Sequence, residues 1–545
     1  MNFDMCDKEQ DVAYLSKTIK QLSKSANSIE DKIMLGRICG NLYTVNQTKV
    51  FEDSYWEETL VELLWREYIE LPSKKRDLYK KELHILTECF SSGGHTRLLE
   101  NLIKIRKKGD VLIVRKENSY KEKLCVNNES NVYSFADKDA SLRDIVEIGQ
   151  LYEVIYLHIH PDDIVVSVAV GILKKVLGKN IKVIFINHAD HLFSFGFEYV
   201  DAIAEIGLNG YNVNKKYRKN KGKKSFFLGI PIPYSEFSLV SPRIFSEDKE
   251  LLIVSAGADY KYSPFADYNF PLFVEKLLDS NIKFKLIILG ADKASEYWKK
   301  IEKYKNVQLW GTVSHAKYMK IIKNADLYLD SWPLFGGTAL PEIWATGKLV
   351  TGLKTPILGV TALQKLWFNN DLQLLQAIED LYNNRENSEI YKLNISSAIR
   401  NKFVLNHSFS KINERLVKVI NSNEVKFEYF TDYDLRETDS LFFYKIWKNN
   451  NEFINLPFNW KYLAEEIIKK NLLNNIVPLM QSKTQKYIMS RIIEINDLKC
   501  RKLMNELDSY KKEVDKIYSS FSWKSLRFIN SIVRSCFKIL GIKQK

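Results

Sequence analysis

Four short stretches of this 545-residue chain concentrate side chains able to bind or move charge. In the first, LHILTECFSSGGHTRLLENLI (83–103), an apolar run passes through Gly93, Gly94 and His95 into a helical pattern. Glycines let a ligand approach the backbone closely, and the free N–H groups of a following helix favour an anion. Gly94 is therefore a candidate anion contact and His95 a candidate site group, with a loop or capping role as the alternative for His95. In the second, INHADHLFSFGFEYVDAIAEIG (186–207), Asn187, His188, Asp190 and His191 follow an apolar run directly. Three ionisable side chains in four positions are costly at a strand end unless they face an opening. Hydrogen bonding to a sugar, or proton transfer by a histidine titrating near the working pH, is expected, and capping of the next helix by Asp190 is the alternative. His188 and His191 would furnish two zinc ligands, but no third His or Cys lies at compatible local spacing, so no metal is expected.

The third stretch, VSAGADYKYSPFADY (254–268), places Lys261 just past a strand-like run, where an ammonium can hold a diphosphate as a point charge. A solvated surface lysine is the alternative. The fourth, DLYLDSWPLFGGTALPEIWATGKLVTGL (326–353), leads through Gly336, Gly337 and Thr338 into a helix. Backbone amides and a hydroxyl at such a start suit phosphate, and Glu342, one turn in, is placed to accept hydrogen bonds from the paired hydroxyls of a ribose. No GK[ST] follows these glycines and no GxGxxG opens either apolar series, so the fingerprints of ATP hydrolysis and dinucleotide redox chemistry are missing.

The elements that must position these residues repeat in a regular order. After a polar, helical stretch (1–80) with Trp56, Leu60, Leu63, Leu64 and Tyr68 at helical spacing, apolar runs alternate with helical patterns. They lie at 83–88, 111–115, 131–135, 154–160, 182–187, 202–207 and 225–229, and the series restarts after a proline-containing linker (230–250) at 250–257, 284–290, 307–311, 326–330 and 348–353. Continuous buried strands alternating with helices predict an α/β chain of two doubly wound parallel sheets facing a cleft. The expected domains are a helical extension (1–80), a first sheet domain (81–235), a second (236–410) and a helical extension (411–545). Within the last, Ile493, Asn496, Cys500, Leu503, Leu507, Tyr510, Val514, Ile517 and Phe521 alternate steps of three and four, which predicts a coiled-coil-like helix (493–521) that packs on its own chain or self-associates.

Composition narrows the classes. Hydrophobic residues make up 45% and charged residues 27%, which excludes wholesale disorder. No apolar run reaches the roughly 18 residues of a spanning helix, and the first residues lack the apolar core of a secretory signal, so a cytoplasmic location is expected. The six cysteines show no CxxC pairing. Net charge is +14, and residues 519–545 carry six Lys or Arg with no Asp or Glu. Trp523, Leu526, Ile529, Val533, Cys536, Phe537 and Leu540 share one helical face there, which suits an anionic membrane surface, the alternative being a helix docked on the protein. The basic and aromatic interleaving of a nucleic-acid binder is not present, so no nucleic-acid partner is expected.

Taken together, the GGHTR turn, the NHADH segment, the GADYKY loop and the GGTALPE helix start resemble, in this order over residues 83–410, the group-1 (GT4-like) class of GT-B glycosyltransferases. The resemblance implies a metal-independent transferase with a nucleotide-sugar, UDP- or GDP-linked, as co-substrate and no other cofactor. It implies that the second domain holds the donor and the first the acceptor, a glycan, lipid-linked or protein group. On that basis Lys261 and the amides of Gly336, Gly337 and Thr338 would neutralise the departing diphosphate, Glu342 would bind ribose, and the backbone at Trp310 and Gly311 would contact the base. His95, His188, Asp190 and His191 are the candidate catalytic set. Members that retain configuration carry two glutamates eight apart; here Leu334 stands opposite Glu342, and the stereochemical outcome stays open. The DxD pairs Asp137/Asp139 and Asp432/Asp434 lie away from strand ends where such enzymes of another fold bind metal. Ser522, Trp523, Lys524 and Arg527 resemble the tails of bacterial surface-polysaccharide glycosyltransferases, which implies a peripheral site at the inner face of the plasma membrane. A non-catalytic GT-B-like scaffold and a sugar-nucleotide epimerase are the competing readings.

Overall fold

The structure, a computed structural model, describes residues 7–69, 82–90, 94–115, 124, 130–232, 250–337, 339–357, 365–422, 425–428, 439–449, 454–472, 480 and 482–520. It divides into two compact units, Met1–Phe458 and Asn459–Lys545.

The first unit holds two sheets. Strands β1 (Glu82–Leu86), β2 (Asp110–Ile113), β3 (Val132–Tyr133), β4 (Val154–His158), β5 (Lys182–Asn187), β6 (Ala202–Glu205) and β7 (Ser225–Phe227) pair in the order β3-β2-β1-β4-β5-β6-β7. Strands β8 (Leu251–Ala256), β9 (Phe284–Leu289), β10 (Val307–Trp310), β11 (Leu327–Leu329), β12 (Leu349–Leu353) and β13 (Trp367–Phe368) pair in the order β10-β9-β8-β11-β12-β13. All pairings are parallel. Every residue of β1, β4 and β12 is buried, because helices cover both faces of a doubly wound sheet; hence the unbroken apolar runs in the sequence.

Each of the twelve expected runs overlaps one strand, and β13, two residues long, is the addition. In both sheets the strand order reverses between the first strand and the fourth, at β1/β4 and at β8/β11. Such a reversal opens a crevice at the carboxyl ends of the strands, where ligands of open α/β sheets bind. The expected pair of Rossmann-like sheets is present.

The helices Asp7–Lys24, Ile29–Asn46 and Ser54–Leu64 belong to this unit, with Trp56 and Leu60 buried and Leu63 half exposed. The C-terminal boundary differs from the expected 410/411. Helix Phe409–Asn421 carries Ile412, Leu416 and Val419 into one core cluster with Leu98, Tyr156 and Ile184 of the first sheet domain. Arg106, which clamps Glu82 at 2.6 Å, also donates to Asn413 at 2.7 Å. An amphipathic helix packs where its apolar face is needed, so this segment completes the first sheet rather than starting an extension.

In the second unit, helix Trp460–Lys469 buries Leu463, Ala464 and Ile467, and helix Ser482–Ser520 runs for 39 residues. Lys499 on the long helix pairs with Glu465 at 3.1 Å. No helix among the described residues is long and apolar enough to cross a membrane. The basic segment 519–545 lies, from residue 521 onward, outside the described residues, as do Asp432, Asp434 and Thr338.

Candidate active site

At the switch point of the first sheet the chain gathers histidines. His84 lies on β1, His158 ends β4, His160 follows it, His95 sits in the first turn of helix Gly94–Arg106, and His188 follows β5. His84 Nδ1 and His158 Nε2 are 3.1 Å apart, and the His95 and His188 rings are 4.2 Å apart between centroids. His95 Nε2 lies 3.1 Å from the His158 carbonyl oxygen, which can only accept, so Nε2 carries the hydrogen and Nδ1 is left bare. That Nδ1 is buried without a hydrogen-bond partner. His188 Nδ1 likewise donates to the Ile186 carbonyl at 3.2 Å.

Burial, reinforced by neighbouring rings, holds His95 and His158 well below the ordinary imidazole value, and burial with the nearby Arg106 charge pushes His84 down to about 3. His188 is pushed down to about 4, mainly by burial. The expectation of a histidine titrating near neutral pH is therefore not met at these positions: a charged ring loses too much hydration there. What the cluster offers is neutral rings, with the tautomers of His95 and His188 set by backbone carbonyls.

The rest of the NHADH segment divides. Asn187 is buried and donates to Glu205 at 2.7 Å, so its amide serves the core. His191 Nδ1 stands 3.4 Å from Asp190, and the His191 ring stacks on Phe443 at 4.2 Å. Phe443 in turn packs against the cluster of Leu334, Ile357, Phe442 and Ile446, which ties the NHADH segment to the loop before Gly336.

At the switch point of the second sheet the chain places charge and glycine. Lys261 occupies a tight turn, Asp259–Tyr262, just after β8. Asp259 holds that turn by accepting hydrogen bonds from Ser295, Tyr297, Trp298 and the Asp292 N–H. Lys261 Nζ donates to the Phe335 carbonyl at 3.0 Å, and burial lowers its pKa against the opposing pull of Asp330. Asp330, fully buried just past β11, accepts the Gly336 N–H at 2.8 Å; burial raises it to about 6. Gly337 has φ +63°, and a Cβ there would stand 3.6 Å from Lys261 Nζ.

This geometry corrects the expected amide cradle in one respect: the Gly336 N–H is already bound to Asp330. The helix that follows, Ala339–Ala345, is only seven residues long. Glu342 on it meets His315 Nε2 at 2.9 Å.

The two switch points open on one cleft of about 670 Å³, within the range of small-molecule sites. Gly94, Asn101 and Lys104 line it from the first sheet domain, and Gly257, Gly290 and Glu342 from the second. Phe90, stacked on His160 at 5.4 Å, joins the histidine cluster to the same wall. Gly257 connects the lysine turn to it, since a Cβ on Gly257 would lie 3.3 Å from Lys261 Cδ. The Trp310 carbonyl accepts the Gly290 N–H at 2.8 Å and Lys317 Nζ lies over the Trp310 ring at 4.4 Å; Thr312 and Val313, just beyond Gly311, line the cleft. Among the described residues no group of three His, Cys, Asp or Glu is placed to hold a metal ion.

Sequence reasoning missed Asp330, His315 and the histidines 84, 158 and 160. The signal for Asp330 was the acid ending the run DLYLD, and for His158 and His160 the alternation in VIYLHIH; His84 is a single polar residue inside the apolar run LHIL. Three neighbouring strands also end in glycine, Gly257 after β8, Gly290 after β9 and Gly311 after β10.

No protein-family model and no curated protein matches the chain. Solved structures similar to it include HepE from Anabaena in complex with UDP-glucose, at 12% identity and TM-score 0.45, covering 62% of this chain and 99% of that one. A glycosyltransferase from Rickettsia africae is similar at 11% identity and TM-score 0.46 (63% and 99%). MnaA from S. aureus bound to UDP is similar at 12% identity and TM-score 0.40 (64% and 100%). The architecture of this chain rests on its own two sheets.

Proposed function

We propose that this chain is a glycosyltransferase that moves a sugar from a nucleoside-diphosphate donor to an acceptor. The observation that carries the reading is the Lys261–Asp330–Gly337 station at the second switch point, which Gly257 joins to a cleft lined from the first domain by Gly94, Asn101 and Lys104. Breaking the bond between sugar and diphosphate leaves negative charge on the departing oxygen, and a cation held in place beforehand stabilises that state more than the ground state.

In this reading Lys261 exchanges the Phe335 carbonyl for the diphosphate, and the Gly337 amide assists. Asp330 positions the turn by holding Gly336. Glu342 exchanges His315 for the ribose hydroxyls, and the base lies over Gly290 and the Trp310–Gly311 end. The bare nitrogen of His95, with His188 beside it, accepts a hydrogen bond from a sugar or acceptor hydroxyl, and Asp190 and His191 are assigned to the acceptor side. The countercharge is assigned to Lys261 rather than to a divalent ion, so addition of EDTA is expected to leave turnover unchanged.

The test is incubation with a panel of UDP- and GDP-sugars, with and without lipid-linked acceptors, measuring nucleoside diphosphate release and the fate of the sugar. Release coupled to acceptor glycosylation supports the proposal. Binding without turnover makes the chain a scaffold, and an epimerised sugar with its diphosphate intact makes it an epimerase. The sequence of 519–545 supports work at the cytoplasmic face of a membrane, where its removal is expected to abolish cosedimentation with anionic vesicles and spare donor hydrolysis.

A further inference from the structure

The long helix of the second unit changes character along its length. At its start Thr484, Ile488, Ile492 and Ile495 are buried. From Asn496 to Lys512 every side chain is exposed except the half-buried Leu507. Among the exposed ones are large apolar groups, with Leu503 at 55% and Tyr510 at 65% exposure. A helical arm without tertiary cover is marginal in water, since packing of an apolar face supplies most helix stability.

The arm carries a seam for one kind of partner. Ile493, Asn496, Cys500, Leu503, Leu507 and Tyr510 recur in steps of three and four, and the sequence continues the register at Val514 and Ile517. That repeat supercoils two helices around each other. Beside the seam, a parallel pair of copies brings Glu506 of one against Lys511 of the other. The remaining flanking pair on the uncovered arm, Lys499 with Met504, contains no like charges. Asn496 within the seam favours one register over its slipped alternatives.

We propose that residues 493–517 form a parallel two-stranded coiled coil with a second copy of this chain. Cys500 of the two copies then faces itself across the seam, where the spacing of paired helices allows a disulfide.

The test uses the full-length protein. Light scattering is expected to give twice the chain mass, falling to the single-chain mass in the double variant Leu503→Asp/Leu507→Asp, whose positions lie on the uncovered arm. Mild oxidation with diamide is expected to link Cys500 to Cys500, identified by peptide mapping and absent in Cys500→Ser. A monomeric wild-type chain overturns the proposal, as does a dimer indifferent to the double variant. A dimer that the variant dissociates but that never forms the Cys500 link overturns the parallel arrangement.

Discussion

The two switch points solve the same geometrical problem with opposite materials. Where β1 and β4 part, the first sheet fills its strand ends with rings: His84 and His158 are fully buried, His95 and His188 lie half-buried against them, and all four are held below the ordinary imidazole value. Where β8 and β11 part, the second sheet clears space with Gly257 and Gly290 and sets Lys261 facing Asp330. Neutral, hydrogen-bonding rings suit a partner without charge, and cleared strand ends with a cation suit one that is anionic. The comparison teaches that the topology fixes where a ligand can lie, while the residues at the strand ends decide what kind it is.

The largest effect that tests this contrast is at Gly290. Its φ is +88° and a Cβ there would meet the Gly257 carbonyl at 2.2 Å. Gly290→Val is expected to lower the unfolding free energy by roughly 3 kcal/mol and to abolish nucleotide binding, measured by urea denaturation and calorimetry. Gly311→Ala, where a Cβ meets nothing within 4 Å, is expected to change stability by no more than about 0.5 kcal/mol. Equal losses in the two variants would break the idea that glycine clears the floor.

The second prediction concerns the neutral rings. The folded value of His188, about 4, lies below the unfolded value of about 6.5, so in that window the unfolded chain takes up a proton that the folded one refuses. Stability contributed by this ring is present above pH 6.5 and is lost as pH falls towards 4. Between pH 7 and 5 the parent chain is expected to lose about 2 kcal/mol more than His188→Gln, read from urea midpoints at each pH. Parallel pH profiles would show the ring to be already charged.

Lys261→Ala is expected to reduce sugar transfer at least about tenfold, some 1.4 kcal/mol of barrier, with an unchanged circular dichroism spectrum. Near-normal turnover would remove the cation from the donor wall. The smallest expected effect is at the rim: Glu342→Gln should weaken donor binding about threefold in calorimetry, since its carboxylate is half exposed and already shared with His315.

Much of the fold was legible because parallel strands buried on both faces write themselves as unbroken Val-, Ile- and Leu-rich runs. The strand β13 was not, because two residues carry no period. The role of helix Phe409–Asn421 was hidden for another reason: an amphipathic pattern says that one face is covered but not by which sheet. In the site, the motif glycines and Lys261 stood out by type and spacing. Asp330, Glu342's partner His315 and the histidine cluster did not, since their meaning depends on strands far apart in sequence that the sheet order makes neighbours. The occupied Gly336 amide was hidden differently: its acceptor lies only six residues earlier, but the intervening turn that brings the two together has no periodic signal.

The return of helix Phe409–Asn421 to the first sheet has a consequence for how the protein is made. On the ribosome, every strand of the first sheet emerges before the residues that cover Leu98, Tyr156 and Ile184, and the whole second sheet is synthesised in the interval. The nascent amino-terminal lobe thus waits with an oily flank open until Ile412, Leu416 and Val419 arrive to close it. A clone truncated near residue 235 would carry that flank permanently, so a workable dissection of this protein must splice the closing helix back onto the lobe it serves.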